Sequence, residues 1–258
     1  MTTNRPDRSV APDELEVRMG RLGLPARGAK DRQSDLPGPL QDLHRALLGA
    51  FLTGAGPPDL SAAGRLAAEL HLEPQAALTA LATADLAHAD PASGRIKVAY
   101  PFSAAPTFHR VTLADGPTVH AMCALDALGI PLMTRRSGRI NSIDPTSGQP
   151  IIVEVDDQGW RWQPTTTVVL AGTTTFSDAC GSVADCCCPY INFHASSRSA
   201  DAYRRQHPAM AAELLGQAEA VEAATRFFGG LLGSGSGHDP TGSPPTKERP
   251  WTPCDTTK

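Results

Sequence analysis

A thiol and a carboxylate stand three residues apart at Cys123 and Asp126, and three consecutive thiols, Cys186, Cys187 and Cys188, follow far along the chain. Residues i and i+3 share one face of a helix. The stretch Met122-Cys123-Ala124-Leu125-Asp126 therefore aims its thiol and its acid the same way. A carboxylate beside a thiol raises the thiol pKa, which works against simple nucleophilic catalysis. The pair makes better sense around a soft metal, with Cys188 arriving from across the fold as a second soft ligand. Any fold that uses both thiols has to bring two distant segments together.

The rest of the sequence bounds how that happens. With 258 residues the chain suffices for one large domain or two small ones, enough to bury a core without a disulfide framework. Its net charge of −4 gives no support for a nucleic-acid or membrane surface. Met1 to Arg8 lack the apolar run of a secretory signal, and no segment approaches membrane-spanning length, so a cytoplasmic protein is expected. In that compartment its six cysteines are expected to be reduced, metal-binding or catalytic.

Residues 1–37 read as a disordered leader with a short helix around Asp13 to Leu22, and residues 234–258 as a disordered, Pro-rich tail carrying Cys254. Residues 38–104 read as a helical unit. Leu40, Leu43, Leu47, Leu48 and Phe51 mark one helical face. Asp59 or Ser61 caps a second helix with Leu66, Ala67 and Leu70, and Glu73-Pro74 opens a third with Ala77, Leu78 and Leu81 inward. A turn over Asp90 to Gly94 leads to an alternating strand from Arg95 to Tyr100. Three helices and a turn-strand wing give a winged helix-turn-helix-like domain. Residues 105–233 read as a mixed core: strands at Thr107–Leu113, Thr118–His120, Ile151–Val155, Thr166–Ala171 and Tyr190–His194. A helix from Ala121 to Leu128 is expected to stop at Gly129 and Pro131, and Ala200 to Leu232 to be mostly helical. The fold class is α+β, with the helical unit followed by a mixed α/β core and a short β-sheet.

The site residues suit a carbon–mercury bond. Two thiolates bind the thiophilic metal and load its carbon with negative charge, and Asp126 is placed to deliver a proton to that carbon. The stretch Met122-Cys-Ala-Leu-Asp-Ala-Leu-Gly-Ile-Pro131 resembles the active-site helix of organomercurial (alkylmercury) lyases. Cys188-Pro-Tyr-Ile-Asn-Phe-His-Ala-Ser196 resembles the segment bearing that family's second cysteine, and Ser199 to His207 resembles its following helix. The resemblance covers roughly residues 40–232 and is sharp around Cys123 and Cys188. It implies a lyase core over 105–233 preceded by a winged-helix-like unit. It also implies that Cys123 and Cys188 hold the mercury, with Asp126 transferring the proton. No organic cofactor is expected. The implied partners are organomercurials, low-molecular-weight thiols that remove the product and a mercuric reductase.

Some residues leave alternatives open. Counting back from Phe193 and Ser196 selects Cys188 as the second ligand, whereas a one-residue gap would select Cys187. Many family members carry a further cysteine in the segment that here reads Ser142-Ile143-Asp144-Pro145; the change to Asp144 bears on stability more than on chemistry. A zinc site drawing on the triple cysteine with His194 and His207 ranks lower, because adjacent residues do not readily supply several ligands to one tetrahedral ion. DNA binding is disfavoured, since the third helix, Pro74 to Ala84, has no basic residue. The alternative function is a non-catalytic thiol-based mercury or copper carrier, or a metal-responsive regulator; Asp126 discriminates, because a carrier does not need the acid.

Overall fold

A computed structural model of the chain describes residues 12–21, 28–54, 56–90, 92–174 and 182–233. The first five elements are helices: α1 (Pro12–Arg21), α2 (Ala29–Ser34), α3 (Gly38–Leu52), α4 (Leu60–Glu69) and α5 (Pro74–Thr83). The strands β1 (Ala87–Asp90), β2 (Arg95–Ala99), β3 (Phe102–Ser103), β4 (Arg110–Leu113) and β5 (Thr118–Ala121) lead to α6 (Ala124–Thr134). Then come β6 (Gly138–Ile143), β7 (Pro150–Asp156), β8 (Gly159–Gln163) and β9 (Val168–Thr173). Last among the described residues come α7 (Val183–Cys186), a 3₁₀ turn (Cys188–Tyr190), β10 (Asn192–His194), α8 (Ser197–Gln206), β11 (Ala211–Leu215) and α9 (Gln217–Phe228).

The helical starts follow from local chemistry. The Asp59 carboxylate accepts from the Ala62 N–H at the start of α4, and the Glu73 carboxylate accepts from the Gln75 and Ala76 N–H groups at the start of α5. In α3 the residues Leu43, Leu47, Leu48 and Phe51 are buried, as their spacing predicts. Phe51 stacks on Phe102 at 5.2 Å, fastening α3 to the sheet.

That sheet has eight strands in the order β1-β2-β3-β5-β4-β6-β7-β8, every neighbouring pair antiparallel. It begins with the hairpin that follows the helices and continues without a break beyond residue 104. A second antiparallel sheet has the order β10-β9-β11. The protein is thus mixed α+β with antiparallel sheets, and α6 lies buried among them, packed on α9 and against β5.

The structure corrects several expectations. The helix carrying Cys123 and Asp126 does not stop at Gly129 and Pro131 but runs to Thr134, ending where Arg135 takes a left-handed φ of 53°. Gly129 is where α9 comes closest, since a Cβ there would lie 2.3 Å from the Phe228 ring. The glycine answers a packing need, and the helix, apolar all round, is held by its surroundings. Residues 211–215 are strand, not helix, because β9 is central in its sheet and β11 satisfies its second edge. The strands β6 and β8 were not expected, although Gly159-Trp-Arg-Trp-Gln163 alternates as a half-buried strand should.

Part of the presumed leader is ordered. α1 falls where a short helix is expected; Leu15 and Met19 are buried, and the Arg18 guanidinium bonds Glu213, Glu219 and the Leu214 carbonyl. α2 overturns the disordered reading for its residues: Ala29 and Gln33 are buried, and a Cβ on Gly28 would lie 2.4 Å from the Phe227 backbone. The tail, residues 234–258, lies outside the described residues.

Candidate active site

Cys123 is the N-cap of α6. Its backbone is extended (φ −150°, ψ −178°), and its sulfur accepts a hydrogen bond from the Asp126 N–H at 3.4 Å. A sulfur thus does what a Ser or Asp oxygen ordinarily does at this position. The geometry puts the Asp126 carboxylate in the first helical turn on the same side as the thiol. Cys188 enters from the 3₁₀ turn, and its thiol donates to Asp126 Oδ2 at 3.7 Å. The Ala124 N–H donates to the Ile191 carbonyl at 3.0 Å, tying the two segments together beside the centre. The two sulfurs and a carboxylate oxygen all lie within 4.8 Å of one another, and all three side chains are buried.

Burial governs their protonation. Desolvation pushes Asp126 up to about 7, against hydrogen bonds from Cys123 and Cys188 that pull it down. Desolvation likewise pushes Cys123 up to about 11; its hydrogen bond with Cys188 and its place at a helix N-terminus do not offset that. The hydrogen bond with Cys123, together with burial, raises Cys188 well above the ordinary thiol value. Near neutral pH the centre therefore keeps protons that a charged thiol-metal complex releases, beside an acid able to pass one on.

The structure separates the adjacent cysteines. Cys187, the alternative second ligand, sends its sulfur to Thr173 Oγ1 at 3.7 Å and is outside the cluster. Cys186 is disulfide-bonded, contrary to the expectation of reduced thiols. The other zinc-site candidates, His194 and His207, are likewise absent from the cluster. Asp144 accepts from the N–H groups of Thr146, Ser147 and Ala195. Burial alone would raise its pKa, but the Ser199 hydroxyl and those backbone N–H groups hold it below the usual value, so Asp144 links separate segments.

A cavity of about 50 Å³ opens onto the centre. Cys123, Asp126 and Cys188 line it together with Tyr100, Phe228 and, from α2, Arg32. These last three were not recognised from the sequence. Arg32 lies in the stretch read as leader, and its guanidinium sits 5.8 Å over the Tyr100 ring. The Tyr100 hydroxyl accepts from the Ala184 N–H at 2.6 Å and donates to Asp85 Oδ1 at 3.3 Å, while Asp85 Oδ2 accepts from the Val183 N–H at 3.3 Å. The start of α7, just before the cysteine triple, is thereby pinned to the N-terminal helical unit. The only local signal was the aromatic end of the alternating strand at Tyr100.

A buried centre of two thiols and one carboxylate at a helix start, in a mixed α+β fold, defines a protein built to take a soft metal out of water. Residues 102–229 match the family model for alkylmercury lyase (MerB). The chain is 35% identical over 104 residues to alkylmercury lyases of Bacillus cereus and Clostridium butyricum, covering 40% of this chain and 46% of each relative. It is 33% identical over 116 residues to that of Staphylococcus epidermidis, covering 45% of this chain and 51% of the relative. Residues 102–229 of the chain thus carry an alkylmercury lyase family domain. It spans about half the length of the curated relatives it matches. A solved structure described as the mercury-bound form of MerB2 shares its fold, with a TM-score of 0.64 at 20% identity over 85% of this chain and 99% of that one. Among the described residues no helix is long and apolar enough to cross a membrane.

Proposed function

We propose that this protein cleaves carbon–mercury bonds by protonolysis, releasing a hydrocarbon and mercury(II), in detoxification of organomercurials in a thiol-rich cytoplasm. The observation that carries the reading is the buried cluster of Cys123, Asp126 and Cys188. The substrate arrives as an organomercury thiolate. Cys123 displaces the carrier thiolate, which leaves with one proton, and Cys188 adds as the second sulfur. The proton lost by the remaining thiol rests on Asp126, whose affinity near neutrality suits both taking and giving it. Two sulfurs push electron density through mercury onto carbon, and Asp126 protonates that carbon. The carbon–mercury bond breaks as the carbon–hydrogen bond forms, leaving mercury(II) between Cys123 and Cys188 with no change of redox state. No organic cofactor takes part. External thiols then remove the metal, and a mercuric reductase is the natural recipient.

The helices α3 to α5 and the hairpin β1–β2 are read as a winged-helix-like unit that serves the site rather than DNA. Tyr100 and Asp85 lead from it to the cysteine segment, and α5 presents no cation to phosphate.

The test is to incubate the protein with phenylmercuric acetate and excess thiol and to measure benzene. Benzene release that is lost in Asp126→Ala is expected. One mercury bound per chain with no benzene would instead make this a carrier.

A further inference from the structure

Cys188 lines two cavities. One is the small apolar space shared with Cys123 and Asp126. The other, about 540 Å³, lies within the size range typical of small-molecule sites. Pro106, Pro145 and Phe108 form part of its lining, and Phe108 is 67% exposed, a large apolar side chain left in solvent. His109, Asn192 and Tyr203 also line it. His109 and Asn192 are 3% and 8% exposed, so the cavity contains built polar groups and not only surface residues. Asn192 donates to the Pro189 carbonyl at 2.9 Å, and His109 Nδ1 is 3.0 Å from Ser142 Oγ. Burial pushes His109 down to about 4, leaving a neutral imidazole.

The reaction proposed above ends with mercury held by two protein sulfurs. Its removal needs a third sulfur, because mercury passes between thiolates by addition and displacement. The apolar cavity, at about 50 Å³, is small. It offers little to the polar body of a thiol such as a cysteinyl peptide.

We infer that the larger cavity is the approach for a low-molecular-weight thiol, which attacks mercury from the Cys188 side while the hydrocarbon leaves on the other. The inference rests on the lyase reading. The entering sulfur bonds to mercury, the bond from mercury to Cys188 breaks, and the proton of the entering thiol passes to the Cys188 sulfur. A second thiol repeats the exchange at Cys123, giving a mercury dithiolate in solution and two protein thiols. The polar body of the thiol lies along Asn192 and Tyr203.

The experiment uses the full chain loaded with mercury(II) and follows transfer of the metal to glutathione by stopped flow. Pro106→Trp and Pro145→Trp, both at exposed positions in the lining, add bulk to the cavity at residues outside the cysteine–aspartate cluster. Each is expected to slow transfer on the order of tenfold, while still binding one mercury per chain. Full loading with unchanged transfer in both variants would overturn the inference and leave the lyase reading standing. Failure of the unsubstituted protein to bind mercury would remove both.

Discussion

The two sulfurs of the centre are held in opposite ways. Cys123 is fixed by its own neighbourhood: it caps α6, takes the Asp126 N–H, and rides on a helix buried on every side. Cys188 lies in a three-residue 3₁₀ turn after a four-residue helix, and what fixes it comes from far away in sequence. Tyr100 and Asp85 hold the N-terminus of α7, and Ile191 is bonded to Ala124. Asp85 itself has φ at 49°, a costly conformation for a residue other than glycine, and its carboxylate also bonds His88. One thiol is thus a local product and the other a product of assembly. The N-terminal unit therefore touches the cysteine segment through Tyr100 and Asp85 without supplying a member of the thiol–carboxylate cluster.

The severest way to break the comparison is to remove the sulfurs. Cys123→Ala and Cys188→Ala are each expected to lower benzene release on the order of 10³-fold or more, with the double variant hardly worse than either, because the pair acts as a unit. Asp126→Asn should lower turnover about 10²- to 10⁴-fold yet still bind mercury(II). Equal loss of binding and turnover would deny the acid its separate role.

The pH profile sharpens the same point. Burial holds the Asp126 carboxyl up to about 7, and it must be ionised to take the Cys188 proton, so kcat/KM is expected to rise as pH passes through about 7. Stability responds with a definite sign. Asp126 holds its proton more tightly folded than unfolded, so its contribution is present below about 4 and is lost as pH rises through about 7. Asp126→Asn should therefore raise the melting temperature at pH 8 and lose that advantage near pH 4, measured by calorimetry at both.

Two smaller perturbations separate the local thiol from the assembled one. Gly129→Ala drives a methyl into Phe228 and should cost about 1–3 kcal/mol, seen as a lower denaturation midpoint. Tyr100→Phe strips the Ala184 N–H of its acceptor, for about 1 kcal/mol. Its sharper signature is selective: alkylation by iodoacetamide should accelerate at Cys188 and not at Cys123. Equal acceleration at both would show that Tyr100 supports the core generally.

Much of the centre was legible in order but not in place. The i, i+3 spacing put Cys123 and Asp126 on one side of a helix, and the resemblance chose Cys188 over Cys187; the structure joins those three and turns Cys187 to Thr173. The helix length was misjudged because Gly129 and Pro131 are local stop signals, whereas their effect here is set by α9 lying over them. The strand at 211–215 was hidden because its leucines fit a helical face equally well, and only the open edge of β9 decides between them.

The sequence by itself determined the buried face of α3, the start of α5 at Glu73-Pro74 and the placing of Cys123 and Asp126 on one side of a helix, because spacing along a helix and the chemistry of side chains are local properties. Only the tertiary structure decided that α2 closes the cavity and that Tyr100 and Asp85 hold the cysteine segment. It also brought Cys188 up to Asp126 and buried the acid deeply enough to titrate near 7. Those outcomes depend on which surfaces exclude water together, a property of the assembled core rather than of any segment in it.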